Sequence, residues 1–313
     1  GECENQMRWD KTGKVVENFY VVGHPVMPVY LLDGEAPLLF DAGLRALGPR
    51  YEKGIKAILK DKRPEMLFLT HSHFDHLGAA GYLKQIWPRM KIAGSQKVQD
   101  ILHRQGAVET IRSLNREAAG QIQTLGISSI DETPFEPFDL DVILEPGHIL
   151  TPDPHTRVAC IHSPGHTWDF MSYWISQKRI LVASEAVGCD DGTGYICPEF
   201  LVDYDAYCHS LTRLSTLNPR VLCPGHGMVL TDADAENHMA RALGYAREYV
   251  SMVEGFLKAE AGDIEQTVMR VKEREWDPKS GPKQIESAYL LNTRVRVRCL
   301  KERMEASALW SSG

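Results

Sequence analysis

The sequence predicts an α/β chain: two packed sheets with helices on their outer faces, followed by a helical extension. Three observations lead there. Short apolar runs bounded by turn residues fill residues 16–41 and 138–183. Helically spaced apolar positions separate and follow these runs. After about residue 231 the strand candidates stop, and 232–261, 263–275 and 284–306 read as helices.

The elements follow in order. Val15-Val16 leads into Phe19-Tyr20-Val21-Val22, then Val26 to Leu32 and Pro37 to Phe40, with Asp33-Gly34 as a hairpin signal between the last two. Residues 46–61 place Leu47, Tyr51, Ile55, Ile58 and Leu59 at helical spacing. A strand at Met66 to Thr70, a helix near 78–87, a short strand near 91–94 and a long amphipathic helical region at 96–125 come next. Further strands are expected at Asp141 to Leu144, Thr156 to Ile161, Met171 to Ile175 and Arg179 to Ala183. A helix near 204–217 then leads to a last strand, Arg220 to Cys223. In the tail, Asp277-Pro278 and Gly281-Pro282 are breaks. The alternating run Arg294-Val295-Arg296-Val297-Arg298 has a strand-like period and argues against helix at that point. The division expected is a sandwich over 1–230 and a helical region over 231–313.

Bulk properties narrow the function. The chain has 313 residues, a net charge of −7, 43% hydrophobic and 25% charged residues. That is an ordinary globular composition. The acidic balance argues against a nucleic-acid surface. No apolar stretch approaches the roughly 20 residues that span a bilayer. The N-terminus, Gly1 to Asn5, is polar, lacks a signal-peptide core and reads as a tag remnant. The seven cysteines (Cys3, Cys160, Cys189, Cys197, Cys208, Cys223 and Cys299) are odd in number and widely spaced, so a disulfide framework is not expected. A reduced, cytoplasmic protein is the simplest expectation.

The chemistry is concentrated in His71-Ser72-His73-Phe74-Asp75-His76, directly after the Met66 to Thr70 run. Imidazole and carboxylate are metal ligands. In an extended stretch, side chains two apart point the same way, so His71 and His73 can grip one ion. Asp75 and His76 follow the turn and can face a second. Other metal-type residues stand just past apolar strands: His166 in Ser163-Pro164-Gly165-His166, Glu185 in Ala183-Ser184-Glu185, and His226 in Cys223-Pro224-Gly225-His226. Strand ends of this kind can gather at one edge of a sheet sandwich.

In these pieces, taken in order from Asp41 in Phe40-Asp41-Ala42-Gly43 to His226, the chain resembles the metallo-β-lactamase superfamily. The resemblance implies an αβ/βα sandwich with one or two metal ions at one edge. Within the family the chain is similar to the glyoxalase II-like and thioesterase-like branch, and its tail to that of the quinolone-signal thioesterase group, where such helices roof the site. Carried over by position, His71, His73 and His166 would hold one ion, and Asp75, His76 and His226 a second. Glu185 takes the place of the family's bridging Asp, a departure that leaves open whether two ions bind. Asp41 would orient a ligand imidazole.

The implied reaction is attack of a metal-bound hydroxide on the carbonyl of a small acyl substrate, a thioester, lactone or ester, with Asp75 orienting the nucleophile. Zinc or iron is the expected metal, with manganese as a further candidate. Two other readings remain: a mononuclear iron oxidoreductase of the sulfur-dioxygenase type, and a non-catalytic metal-binding effector. The loop at 186–203 is expected to rim the pocket, with Tyr195 and Phe200 offered to substrate or packed against the tail. Cys189 and Cys197 lie in this Gly-rich loop, where a thiol ligand would be unusual. Of the cations on the last helix, a solvated face is the commoner role and contact with an anionic substrate group the rarer. The expected partner is a small-molecule substrate, not nucleic acid or membrane, and a homodimer is left open.

Overall fold

The fold follows from a computed structural model that describes residues 8–9, 11–124, 126–280 and 286–311. The Gly1 to Asn5 segment and the Gly281-Pro282 break lie outside the described residues. In chain order the strands are β1 (Arg8–Trp9), β2 (Gly13–Val16), β3 (Phe19–His24), β4 (Met27–Leu32), β5 (Leu38–Phe40), β6 (Met66–Phe68), β7 (Lys91–Ser95) and β8 (Val142–Leu144). They continue with β9 (Ile149–Asp153), β10 (Thr156–His162), β11 (Met171–Ile175), β12 (Ile180–Ser184), β13 (Cys189–Asp190), β14 (Ile196–Cys197), β15 (Val221–Pro224) and β16 (Val229–Thr231). The helices are α1 (Gly48–Leu59), α2 (Phe74–Leu77), α3 (Ala80–Ile86), α4 (Gln96–Leu102), α5 (Gln105–Thr124), α6 (Tyr204–Ser215), α7 (Asp232–Ala259), α8 (Ile264–Glu275) and α9 (Glu286–Ser311).

One sheet runs β2-β3-β4-β5-β6-β7-β8 and the other β1-β16-β15-β12-β11-β10-β9, while β13 and β14 form a separate ribbon. The strands from β5 to β8 pair in parallel, as do β12 and β15. Parallel strands are covered on both faces, which is why β5 and β12 are buried throughout. Period-two alternation sorts β4 between layers. Tyr30 and Leu32 enter the core between the sheets, while Val29 and Leu31 face the helices. Three apolar cores result. One lies between the sheets, one between the first sheet and α1 to α5, and one between the second sheet and α6 to α9.

The inter-sheet core is held by side chains that cross it. Phe40 and Phe68 stack at 5.2 Å, and Tyr173 of the other sheet lies 5.8 and 5.1 Å from them. The Tyr173 hydroxyl donates to the Leu69 carbonyl. Tyr30 donates to the Pro224 carbonyl at 3.0 Å. Met171 N donates to Thr70 O at 2.8 Å. These ties lie where β6 and β15 run out toward His71 and His226.

The structure departs from sequence expectation in several places. Strands β1, β9, β13, β14 and β16 are additional, and 96–125 is two helices broken at His103 and Arg104. Helix α9 runs without interruption through Arg294 to Arg298. Its buried residues Tyr289, Thr293, Arg296, Val297 and Leu300 keep helical spacing. The Arg/Val alternation misleads because Arg296 is itself an inward residue. Residue 230 falls inside β16, and Thr231 both ends that strand and precedes α7. Ala235, Met239 and Ala242 of α7 share one core with Leu181, Leu222 and Leu230 of the sheet. Among the described residues, no helix is long and apolar enough to cross a membrane.

Replacing Tyr173 by Phe leaves the buried Leu69 carbonyl without its donor. A loss of about 1–3 kcal/mol is expected in urea unfolding. An unchanged midpoint would contradict the role given to this tie.

Candidate metal centre

The segment after β6 builds the site by changing conformation once. Leu69 to His73 leaves β6 without regular structure, and His73, extended (φ −66°, ψ 144°), precedes the first turn of α2. His71 and His73 therefore come from the stretch before the helical turn, Asp75 and His76 from the turn itself. His166 follows Gly165, whose φ of 134° suits glycine. A Cβ at Gly165 would also stand 2.4 Å from the Tyr207 Cα. Glu185 opens a 3-10 turn after β12, and His226 follows β15.

Three groups converge: His71/His73/His166, His71/His76/Glu185 and Asp75/His76/His226, each with its ligand atoms within 4.8 Å of one another. The structure thus gathers all seven residues expected from the sequence. His166 Nε2 is 3.1 Å from His73 Nδ1. Glu185 Oε1 is 2.8 Å from His76 Nε2 and 3.1 Å from His226 Nε2. Its Oε2 is 3.8 Å from His71 Nε2. Asp75 Oδ2 is 3.3 Å from His226 Nε2. The longer Glu185 thus reaches both outer groups, and Gly225 leaves it room.

The other edge of four imidazoles is held from behind. His76 Nδ1 donates to Asp41 Oδ2 at 2.8 Å. His71 Nδ1 donates to Thr70 Oγ1 at 2.9 Å, and that hydroxyl donates to Asp41 Oδ2 at 2.9 Å. His166 Nδ1 donates to the Glu199 carbonyl. His226 Nδ1 donates to the Val26 carbonyl at 2.7 Å. With Nδ1 fixed as a donor, each Nε2 is turned toward the shared centre. Asp41 thus orients two imidazoles, one directly and one through Thr70. Phe170 stacks on His71 at 4.6 Å and closes the deep side. His73, Asp75 and His226 face solvent, the last with 29% of its side chain exposed.

Titration follows the same geometry. Burial lowers His71, and it lowers His166 to about 3, so both are neutral at pH 7. Burial also acts to lower His76 and His226, but the facing carboxylates outweigh it and hold both up, His226 at about 10. Burial would raise Asp75 and Glu185; His76 and its neighbours hold both low instead. Without metal, then, the Asp75/His76/His226 group stores protons that an entering cation must displace.

Thr70 and the Glu199 and Val26 carbonyls were not anticipated from the sequence. A hydroxyl ending an otherwise apolar strand is the only signal for Thr70, and the two carbonyls have none. Asp169 is also new: it is buried, and its Oδ2 accepts from Ser72 N at 2.9 Å, bracing the loop between His71 and His73. Phe200 is corrected from substrate surface to core: it is fully buried, packed against Tyr204, Tyr207 and Tyr249. Tyr195 is partly buried and donates to Glu275 at 2.8 Å, joining the loop to α8. The tail meets the centre through this loop.

A Cβ at Gly225 would stand 2.4 Å from Glu185 Oε1. Gly225→Ala should therefore lower the metal content of the purified protein at unchanged circular dichroism; full occupancy would contradict the contact. A second prediction concerns pH. His226 is raised by folding, so its stabilisation is complete below its ordinary 6.5 and is lost as pH rises through about 10. Chelated protein should show a melting temperature that falls across that window. His226→Gln should flatten the fall, and an equal slope in the variant would contradict the assignment.

The profile of the metallo-beta-lactamase superfamily matches residues 24–226. Hydroxyacylglutathione hydrolases of Salmonella typhi and Salmonella newport are each 41% identical to the chain over 66 residues, which is 20% of this chain and 26% of theirs. The chain thus spans about a quarter of the length of these curated relatives. Among solved structures, a metallo-beta-lactamase family protein from Thermus thermophilus superposes with a TM-score of 0.62 at 17% identity, covering 94% of this chain and 95% of that one. An archaeal superfamily protein from Sulfolobus tokodaii gives 0.58 at 18% identity, covering 92% and 100%. The rubredoxin oxygen:oxidoreductase of Desulfovibrio gigas gives 0.52 at 17%, covering 76% and 62%. At these identities the structural likenesses speak for the fold. Together with the matched profile, they mean that the chain belongs to the metallo-β-lactamase superfamily.

Proposed function

We propose that the chain is a metal-dependent hydrolase of a small acyl substrate, a thioester, lactone or ester. The observation that carries this reading is His71 Nε2, a buried nitrogen without a hydrogen-bond partner that is shared by two of the three ligand groups. An orphaned lone pair among the imidazoles of His73, His76 and His166 and the Glu185 carboxylate fits a divalent ion better than it fits a packed core. His71, His73 and His166 would hold one ion, Asp75, His76 and His226 a second, with Glu185 between them. The nitrogen and oxygen donors suit zinc, iron or manganese. Bound there, the metal would polarise the substrate carbonyl and acidify a water enough for attack near neutral pH.

The protein's own groups set the rest. Substrate approaches the open side formed by His73, Asp75 and His226, because Phe170 and the inter-sheet core close the other. Val26, whose carbonyl holds His226, and Trp168, two residues past His166, are large exposed apolar residues. They offer surface to an acyl chain. Asp75 is held low and is a poor proton acceptor, so it orients the attacking water by accepting its hydrogen bond. The similarity to enzymes named hydroxyacylglutathione hydrolases favours acyl transfer to water. The grip of the tail on the loop after Glu185 favours the neighbouring thioesterase-like branch.

Protein purified without added metal should contain zinc, iron or manganese and should hydrolyse members of an acyl-thioester, lactone and ester panel. Chelation should abolish turnover and metal should restore it. Bound iron with oxygen uptake on a persulfide, and no hydrolysis, would overturn the reading in favour of an oxidoreductase. Bound metal with no turnover on the whole panel would overturn it in favour of an effector. Glu185→Asp draws the carboxylate back by one methylene and should reduce metal per chain. A gain of metal would show instead that Glu185 limits the second site.

A further inference from the structure

Cys189 and Cys197 stand directly opposite each other in the β13–β14 ribbon. Opposed residues of an antiparallel pair point to the same face, with Cα atoms about 4.5–5.5 Å apart. A disulfide spans roughly 4.4–6.8 Å between Cα atoms. Both cysteines are free and half-buried. The ribbon begins just past the Glu185 turn, and two residues after Cys197 the Glu199 carbonyl holds His166. On the other side, Arg296 Nη1 donates to Cys197 Sγ at 2.9 Å and to the Pro198 carbonyl at 2.7 Å. Arg296 is 1% exposed, so this contact is the buried point at which α9 grips the loop.

We propose that Cys189 and Cys197 form a thiol-modification site that small-molecule disulfides convert to an intramolecular disulfide. Cys197, next to the guanidinium, loses its proton and attacks one sulfur of oxidised glutathione. That S–S bond breaks and one glutathione leaves as the thiol, carrying the proton. Cys189 then loses its proton and attacks Cys197 Sγ, and the second glutathione leaves as thiol. The protein pair is oxidised by two electrons and the glutathione disulfide is reduced by two. In the closed form the Cys197 sulfur is bonded to Cys189, and Arg296 keeps the Pro198 carbonyl and the Tyr249 ring as partners. The loop carrying the Glu199 carbonyl then closes covalently on itself. The site does not depend on the hydrolase reading.

The full chain, incubated folded with oxidised glutathione, then unfolded and treated with iodoacetamide, tests this by peptide mass mapping. A cross-linked Cys189–Cys197 peptide lighter by two hydrogens, reversed by dithiothreitol, is expected. Cys189→Ser should stop at a glutathione adduct on Cys197, and Cys197→Ser should give no cross-link. Both thiols fully alkylated, a lasting glutathione adduct on the wild-type pair without closure, or cross-linking of either to Cys160, Cys208, Cys223 or Cys299 would overturn the proposal.

Discussion

The candidate centre exists because ends of strands from two different sheets are tied across the core. His71 and His73 extend from β6 of one sheet; His166, Glu185 and His226 follow β10, β12 and β15 of the other. Tyr173 fastens the second sheet to the Leu69 carbonyl, and Tyr30 fastens the first to the Pro224 carbonyl. Each buried phenol satisfies a carbonyl just before a ligand segment, so core packing and site assembly are one constraint. A slip of one residue in either sheet would send the ligand side chains to the opposite face.

Assembly alone would leave the imidazoles free to turn. The hydrogen bonds behind them remove that freedom. Asp41 has φ of 58°, a left-handed conformation uncommon outside glycine, asparagine and aspartate. It accepts from Thr70 N at 2.8 Å while also serving Thr70 Oγ1 and His76 Nδ1. One buried carboxylate thereby fixes the orientation of two rings. Backbone carbonyls do the same for His166 and His226. A first layer of ligands braced by a second layer of polar contacts is how metal sites hold geometry.

Much of this could be read from residues alone, because ligand chemistry is local. Three histidines and an aspartate within six positions after an apolar run carry their meaning without a fold. His166, Glu185 and His226 gained theirs from order and from their places after strands. What stayed hidden depends on packing. Phe200 looked like pocket surface because a loop aromatic can face either way; its neighbours, separated in sequence, decide. Arg296 looked like part of a polar alternation because a buried guanidinium is rare, and its contacts with Cys197, Pro198 and the Tyr249 ring, all distant in sequence, account for it. Strand β16 is three residues long, too short for any period to register.

Metal binding here requires ring nitrogens and carboxylate oxygens that point at common centres. Anomalous diffraction from crystals grown with zinc measures that directly. The expected result is a peak about 2.0–2.2 Å from ligand atoms of His71, His73 and His166, with a second, if occupied, beside Asp75, His76 and His226. A peak elsewhere on the chain, with these residues still bonded only to one another, would contradict it.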